Sequence, residues 1–266
     1  SQFDFGLYYH NLEYNYLKKQ GMNASQNAQE GNSTETVSRS HRSDYIGGAF
    51  TSNHDVLRAI NHINVTSDGS NLDHNPVIGG ANLATQIKKA QTHAAITLMQ
   101  PGLSWIYYGD ELGMSGNTVG VSTSNPETIN NADRWYRQPF KWGASDPRTT
   151  GYRFNMYTVE HDDYNKNTLA SAAEQAGDST SMLALYKALA EVKNRPDFPI
   201  NGDYTGYDFE INGDVQHFQI SGGGVTYKVY VNCGASTVTI NPGTTVLTWN
   251  ATSTQLNAYG IVISRV

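Results

Sequence analysis

Leu103-Ser104-Trp105-Ile106-Tyr107-Tyr108 is a short, continuous apolar run that ends at Gly109-Asp110-Glu111. A run of this length bounded by turn residues is expected of a strand buried on both faces, as in a parallel sheet. Immediately upstream, Leu83, Ile87, Ala90, Ala94 and Leu98 recur at steps of three and four. That spacing predicts a helix over about 82–99, stopped by Pro101-Gly102. Before it, a strand is predicted at Tyr45 to Thr51, running directly into Asn53-His54-Asp55. Further on, Met182, Leu183, Leu185, Tyr186, Leu189 and Val192 predict a second amphipathic helix that ends near Pro196. Strands alternating with helices imply βα units and a parallel sheet.

The two ends of the chain extend this pattern. Phe3, Phe5, Leu7, Tyr8, Leu12, Tyr16 and Leu17 alternate first and then shift to helical spacing, so a strand turning into a helix is expected. Nothing resembling a charged and apolar leader precedes them, and the chain is expected to begin inside a domain. Residues 21–43 and 64–80 are polar and read as exposed loops. The stretch from about 112 to 178 is too long for a structureless connection in a compact domain and is expected to carry binding residues. From Ile200 the pattern changes to short alternating strands, with Val225, Tyr227, Val229 and Val231 on one face and turn signals at Gly222-Gly223-Gly224 and Asn241-Pro242-Gly243. The expected division is therefore an α/β part at 1–198 and an antiparallel β domain at 199–266.

Composition narrows the classes of function. The chain of 266 residues has 18 basic against 24 acidic side chains, a formal charge of −6, which argues against nucleic-acid binding through clustered Lys and Arg. No apolar run reaches the roughly 18 residues of a membrane span. The single cysteine, Cys233, excludes an intrachain disulfide and a cysteine-based zinc site, and is expected to be a buried, inert thiol. Seventeen tyrosines and the strand-like runs argue against disorder.

Three ordered segments carry a resemblance to a known family. Phe50-Thr51-Ser52-Asn53-His54-Asp55 resembles the F-x-x-N-H-D motif that ends barrel strand seven in the α-amylase family, glycoside hydrolase family 13. Gly102 to Met114 is similar to that family's strand eight segment, and Arg137-Gln138-Pro139-Phe140-Lys141-Trp142 to the R-T-P-M-Q-W segment beyond it. Phe3-Asp4-Phe5 to Tyr9 looks like strand six, and Tyr259-Gly260 before a last strand suits the family's C-terminal β domain. The resemblance implies the last part of a TIM (β/α)8 barrel followed by an antiparallel all-β C-terminal domain of β-sandwich type.

It also implies a retaining glycosidase with three acidic residues. Retention uses two carboxyl groups about 5 to 5.5 Å apart, a nucleophile and an acid/base. Asp55 matches the third carboxylate, which would hydrogen-bond sugar hydroxyls at the cleavage subsite, with His54 and Asn53 binding the same ring. Asp133 and Arg137 match a pair that contacts glucose units on the non-reducing side; an ion pair within the loop is the alternative reading. Trp135 and Tyr136 are candidates for stacking on sugar rings. Tyr107 and Tyr108 are expected in the barrel core, and Asp110 and Glu111 as structural support of the site.

The segments that carry the family's nucleophile and acid/base have no counterpart in these 266 residues. The isolated chain is therefore expected to be inactive, and its expected partner is an N-terminal fragment of the same enzyme with barrel strands one to five. The substrate expected from the resemblance is starch or maltooligosaccharide, cut at α-1,4 bonds. A neopullulanase or oligo-1,6-glucosidase specificity is the alternative within enzymes, and a non-catalytic glucan-binding or assembly subunit the alternative outside them. No cofactor is expected from this segment, and calcium only through the missing N-terminal part. Asp163, Asn165, Asn167 and Glu174 imitate the ligand spacing of a calcium loop but lack its turn glycine. A polymeric substrate suggests a secreted or extracellular protein. Sequons stand at Asn23, Asn32, Asn64 and Asn250.

Overall fold

The computed structural model describes residues 5, 8, 40–41, 47–64, 78–115, 137, 140–143, 170–200, 208–212 (backbone only) and 214–266. These fall into two compact units, one drawn from 1–51, 91–105 and 187–266, the other from 52–90 and 106–186.

In the first unit, β1 (Gly48–Phe50) and β2 (Leu103–Trp105) pair in parallel, with Ala49 opposite Ser104. Gly102 makes this pairing possible. Its φ is +86°, and a Cβ there would lie 2.5 Å from the Gly47 carbonyl oxygen, which accepts the Leu103 N–H at 3.0 Å. Between the strands runs α2 (Leu83–Leu98), preceded by a 3-10 turn at Gly80–Asn82 and, earlier in the chain, by the short α1 (Ala59–His62). The periodic residues Ala90, Ala94 and Leu98 are buried as predicted, but so is every residue from 91 to 100. The helix is amphipathic only over its first half, and its second half is enclosed on all sides.

Lys193, in α4 (Met182–Lys193), ties that enclosed end down. Its ammonium donates to Leu98 O at 2.7 Å, Gln100 O at 2.8 Å and Ser104 Oγ at 2.6 Å. All three of its N–H groups are thus used, and burial pushes its pKa down to about 7. The face of α4 made by Met182, Leu185, Tyr186, Leu189 and Val192 is buried, which is the predicted spacing.

Two expectations about these strands fail. Phe5 and Tyr8 are helical rather than extended. Tyr8 stacks on the Phe50 ring at 4.6 Å, and Phe5 meets that ring edge-on at 5.1 Å, so these two aromatics pack against the end of β1. Nor is β2 buried on both faces, since Leu103, Trp105 and Ile106 are all more than 40% exposed. Among the described residues β2 has one strand neighbour, β1, whereas a buried parallel strand needs a neighbour at each edge and cover on each face.

The remaining strands form one antiparallel sheet: β3 (Asp208–Asn212), β4 (Val215–Gly222), β5 (Val225–Asn232), β6 (Val238–Thr239), β7 (Thr244–Ala251) and β8 (Gln255–Arg265). The order is β3-β4-β5-β8-β6, with β7 on the other side of β8. Gly223 and Gly224, at φ +60° and +80°, make the two-residue turn between β4 and β5, and positive φ at both positions is what such a hairpin requires. Tyr227, Val229 and Val231 share a fully buried face, packed beside Phe218, Ile220, Ile261 and Ile263. Val215, Tyr230, Leu256 and Val262 fill the opposite face with Val238, Ile240 and Ala251. Register shifts between β7 and β8 accompany positive φ at Asn250 and Tyr259, the local irregularity expected where a bulge bends a strand. Cys233 is half-buried rather than buried. Asn64 is buried and donates to Ile60 O at 2.8 Å, so that sequon is closed to a glycan, while Asn250 is exposed.

Candidate functional site

The chain leaving β1 passes through Ser52 and Asn53 into an exposed turn. Asn53 is buried, and its side-chain oxygen accepts the Asp55 N–H at 2.8 Å. An Asn bonded to the backbone two residues on bends the chain without a partner strand, which raises His54 and Asp55 into solvent. There the Asp55 carboxylate is held at both oxygens. His54 Nε2 is 3.2 Å from Oδ2, and Arg137 Nη2 is 3.1 Å from Oδ1. Arg137 also donates from Nε to the His54 carbonyl at 3.1 Å. The three side chains are 61%, 56% and 46% exposed for Asp55, His54 and Arg137. Such an array presents a carboxylate, an imidazole and a guanidinium, which between them accept from and donate to neutral hydroxyl groups.

Beneath this turn the second unit buries two charged side chains, Arg58 and Asp110. Ser52 Oγ donates to Asp110 Oδ2 at 2.5 Å, and Asp110 is almost fully buried. Arg58, with no exposed side-chain surface, has Nη1 3.6 Å from Asp110 Oδ1 and donates from Nη1 to the Tyr108 carbonyl. Its guanidinium carbon lies 4.5 Å from the Tyr107 ring centre and 4.7 Å from that of Tyr108. Burial pushes the Tyr107 phenol up. Glu111 accepts the Gly109 N–H at 2.7 Å, and burial raises its carboxyl above the usual range despite that bond. Gly109 has φ +91°, which starts the 3-10 turn Asp110–Leu112 and turns the chain after β2.

The structure thus brings together Asn53, His54, Asp55 and Arg137 from the candidates named above. Asp133, Trp135, Tyr136, Asp163, Asn165 and Asn167 lie outside the described residues. Glu174 is engaged otherwise than the calcium-loop spacing suggests. It closes a capping box at the start of α3 (Ala172–Gln175), accepting the Ser171 N–H at 2.7 Å and the Ser171 hydroxyl at 2.6 Å. These bonds hold its carboxyl below the usual range. Among the described residues no group of three His, Cys, Asp or Glu could hold a metal ion. Tyr107 and Tyr108 are not core residues: Tyr108 is exposed, and the two rings flank Arg58 instead. Arg58 itself escaped the sequence reading. A lone arginine in Val56-Leu57-Arg58-Ala59-Ile60 was the available signal.

The family model described as "Alpha amylase, catalytic domain" matches residues 1–202, and the chain belongs to the α-amylase family. It is similar to "Alpha-amylase SusG" of Bacteroides thetaiotaomicron, at 29% identity over 154 residues, which are 58% of this chain and 17% of that protein. The "Alpha-glucosidase" of Apis mellifera is 29% identical over 120 residues, 42% of this chain and 21% of the relative. Among solved structures, "Eubacterium rectale Amy13B" superposes with a TM-score of 0.70 at 18% identity, over 99% of this chain and 48% of that one. The chain therefore spans about a fifth of the curated relatives it matches and about half of that structure. Its fold is the last part of a TIM barrel with an antiparallel C-terminal β domain.

Proposed function

We propose that this chain is the C-terminal part of a retaining α-amylase that hydrolyses α-1,4-glucosidic bonds in starch and maltooligosaccharides. One observation carries the proposal: the exposed Asp55 carboxylate, aimed out of the turn after β1 and held at both oxygens by His54 and Arg137. Asp55 has the role of the third carboxylate. It accepts hydrogen bonds from sugar hydroxyls, and these strengthen as the ring flattens and gains positive charge in the transition state. His54 binds the same ring, and Arg137 orients Asp55 while the sugar binds.

The nucleophile and the acid/base belong to a segment with barrel strands one to five, outside these residues, so the isolated chain is inactive in this proposal. We place the division between catalytic barrel and β domain near residue 198, and the protein outside the cell, where its polymeric substrate is. A hydrolase acting on other α-glucosidic linkages, of neopullulanase or oligo-1,6-glucosidase type, is the second reading. The Arg137 to Trp142 segment and the similarity to an α-glucosidase favour it.

The test uses the assembled enzyme, this chain together with the segment carrying the other strands. Asp55→Asn should lower kcat on soluble starch by about three orders of magnitude or more with the fold intact. Turnover like that of the unaltered enzyme would refute the role of Asp55. Products from starch, pullulan and isomaltooligosaccharides separate the two linkage readings.

A further inference from the structure

We propose that Arg58, working through Asp110, is a positioning residue for Asp55. The inference rests on the reading of Asp55 as the third carboxylate. The turn that carries Asp55 is stapled on both sides to the same short segment after β2. Ahead of the turn, Ser52 Oγ bonds Asp110 Oδ2 at 2.5 Å. Behind it, Arg58 pairs with Asp110 Oδ1 at 3.6 Å and bonds the Tyr108 carbonyl. One oxygen of the buried carboxylate thus bonds the residue three before Asp55, and the other lies within ion-pair distance of the residue three after it, so that both ends of the span 53–57 are tied to Asp110.

The composition of this staple points to geometry rather than to stability. Both charges are fully buried, where an ion pair recovers little beyond its desolvation cost, and an apolar pair of the same volume would hold the core at least as well. Arg58 Nε and Nη2 have no hydrogen-bond partner among the described residues, a further cost that a stability role would not retain. What the guanidinium supplies is a flat cation that lies against the Tyr107 and Tyr108 rings while one nitrogen, Nη1, reaches both Asp110 and the Tyr108 carbonyl. A lysine has the charge without the plane: an ammonium placed at Nη1 reaches the carboxylate and the carbonyl but leaves the two rings without the flat face that fixes its position.

The experiment compares Arg58→Lys, Asp110→Asn and Ser52→Ala in the assembled enzyme, alone and each in the Asp55→Asn background. Displacement of a reacting group by a fraction of an ångström to one ångström costs about tenfold to a hundredfold in rate. We expect Arg58→Lys to lower kcat by that factor with KM within about threefold of the original, and Ser52→Ala by a smaller factor in the same direction. In the Asp55→Asn background the same changes should have almost no further effect, because the group they position is gone. Unchanged kcat in folded Arg58→Lys overturns the proposal, as does an equal loss with and without Asp55. If Arg58→Lys fails to fold, Asp110→Asn and Ser52→Ala meet the same two criteria. Should Asp55→Asn by itself retain full activity, the assignment of Asp55 falls, a result distinct from either of these.

Discussion

Arg137 Nη2 stands 3.1 Å from Asp55 Oδ1, although 82 residues separate the two in the chain. The same guanidinium reaches the His54 carbonyl through Nε. One side chain from the long loop thereby orients both residues of the exposed turn, and both partners of the ion pair are open to solvent. Exposed pairs contribute about 0 to 1 kcal/mol to stability, so this contact matters for where Asp55 points far more than for whether the protein folds.

Arg137→Met should accordingly separate activity from stability. The thermal midpoint should move by less than about 2 °C, while activity of the assembled enzyme on maltooligosaccharides falls about tenfold or more. Thermal melts and initial rates on the same preparation check this, and a loss of stability in proportion to activity would contradict it.

Lys193 predicts a pH dependence of stability. Its pKa is about 7 in the fold against the ordinary 10.5, so between those values the unfolded chain holds the proton and the folded one releases it. Stability then rises with pH across that window and is lost again as pH falls towards 7, by at most about 4 to 5 kcal/mol. Urea titrations at several pH values within that window should show the slope in the natural protein and not in Lys193→Met. Parallel curves for the two would mean that the ammonium, held by three oxygens, keeps its proton.

Gly102→Ala should be among the most damaging single-methyl additions in this protein. The new Cβ would meet Gly47 O at 2.5 Å and Gly47 N at 2.9 Å, both main-chain atoms that cannot swing away, at a φ of +86°. A loss of more than about 2 kcal/mol is expected, against about 1 kcal/mol for Gly224→Ala, where the φ is also positive but the space is open. Chemical denaturation of both variants gives the comparison.

Asp197 joins the loop after α4 to the β sheet. It accepts the Tyr227 hydroxyl at 2.8 Å and pairs with Arg265 at 2.8 Å. The Tyr227 bond first, and then Arg265, hold its carboxyl below the usual 3.8. Its stabilisation is present above that pH and lost as acid protonates it. Melts of natural protein and Asp197→Asn should differ near neutrality and converge as pH falls through that range; a gap that stays constant would show that the charge plays no part.

How much of this was legible in the residues depends on the distance over which each feature is encoded. The α2 and α4 helices, the Gly223-Gly224 hairpin and the buried face of β5 follow from periodicity and turn chemistry within a dozen residues, and the Asn53-His54-Asp55 turn is local too. By themselves these residues determined the βα order, the antiparallel module and, with the strand eight and Arg137 to Trp142 segments, the family. Tertiary structure alone decided that Arg137 meets Asp55, 82 residues away, and that Arg58 pairs with Asp110. It likewise placed Tyr107 and Tyr108 against that arginine, and Phe5 and Tyr8 in a helix packed on Phe50. The physical reason is that a hydrophobic period records which face of an element is covered, while a charge or an aromatic ring carries no mark of its partner until folding brings distant segments within hydrogen-bond reach.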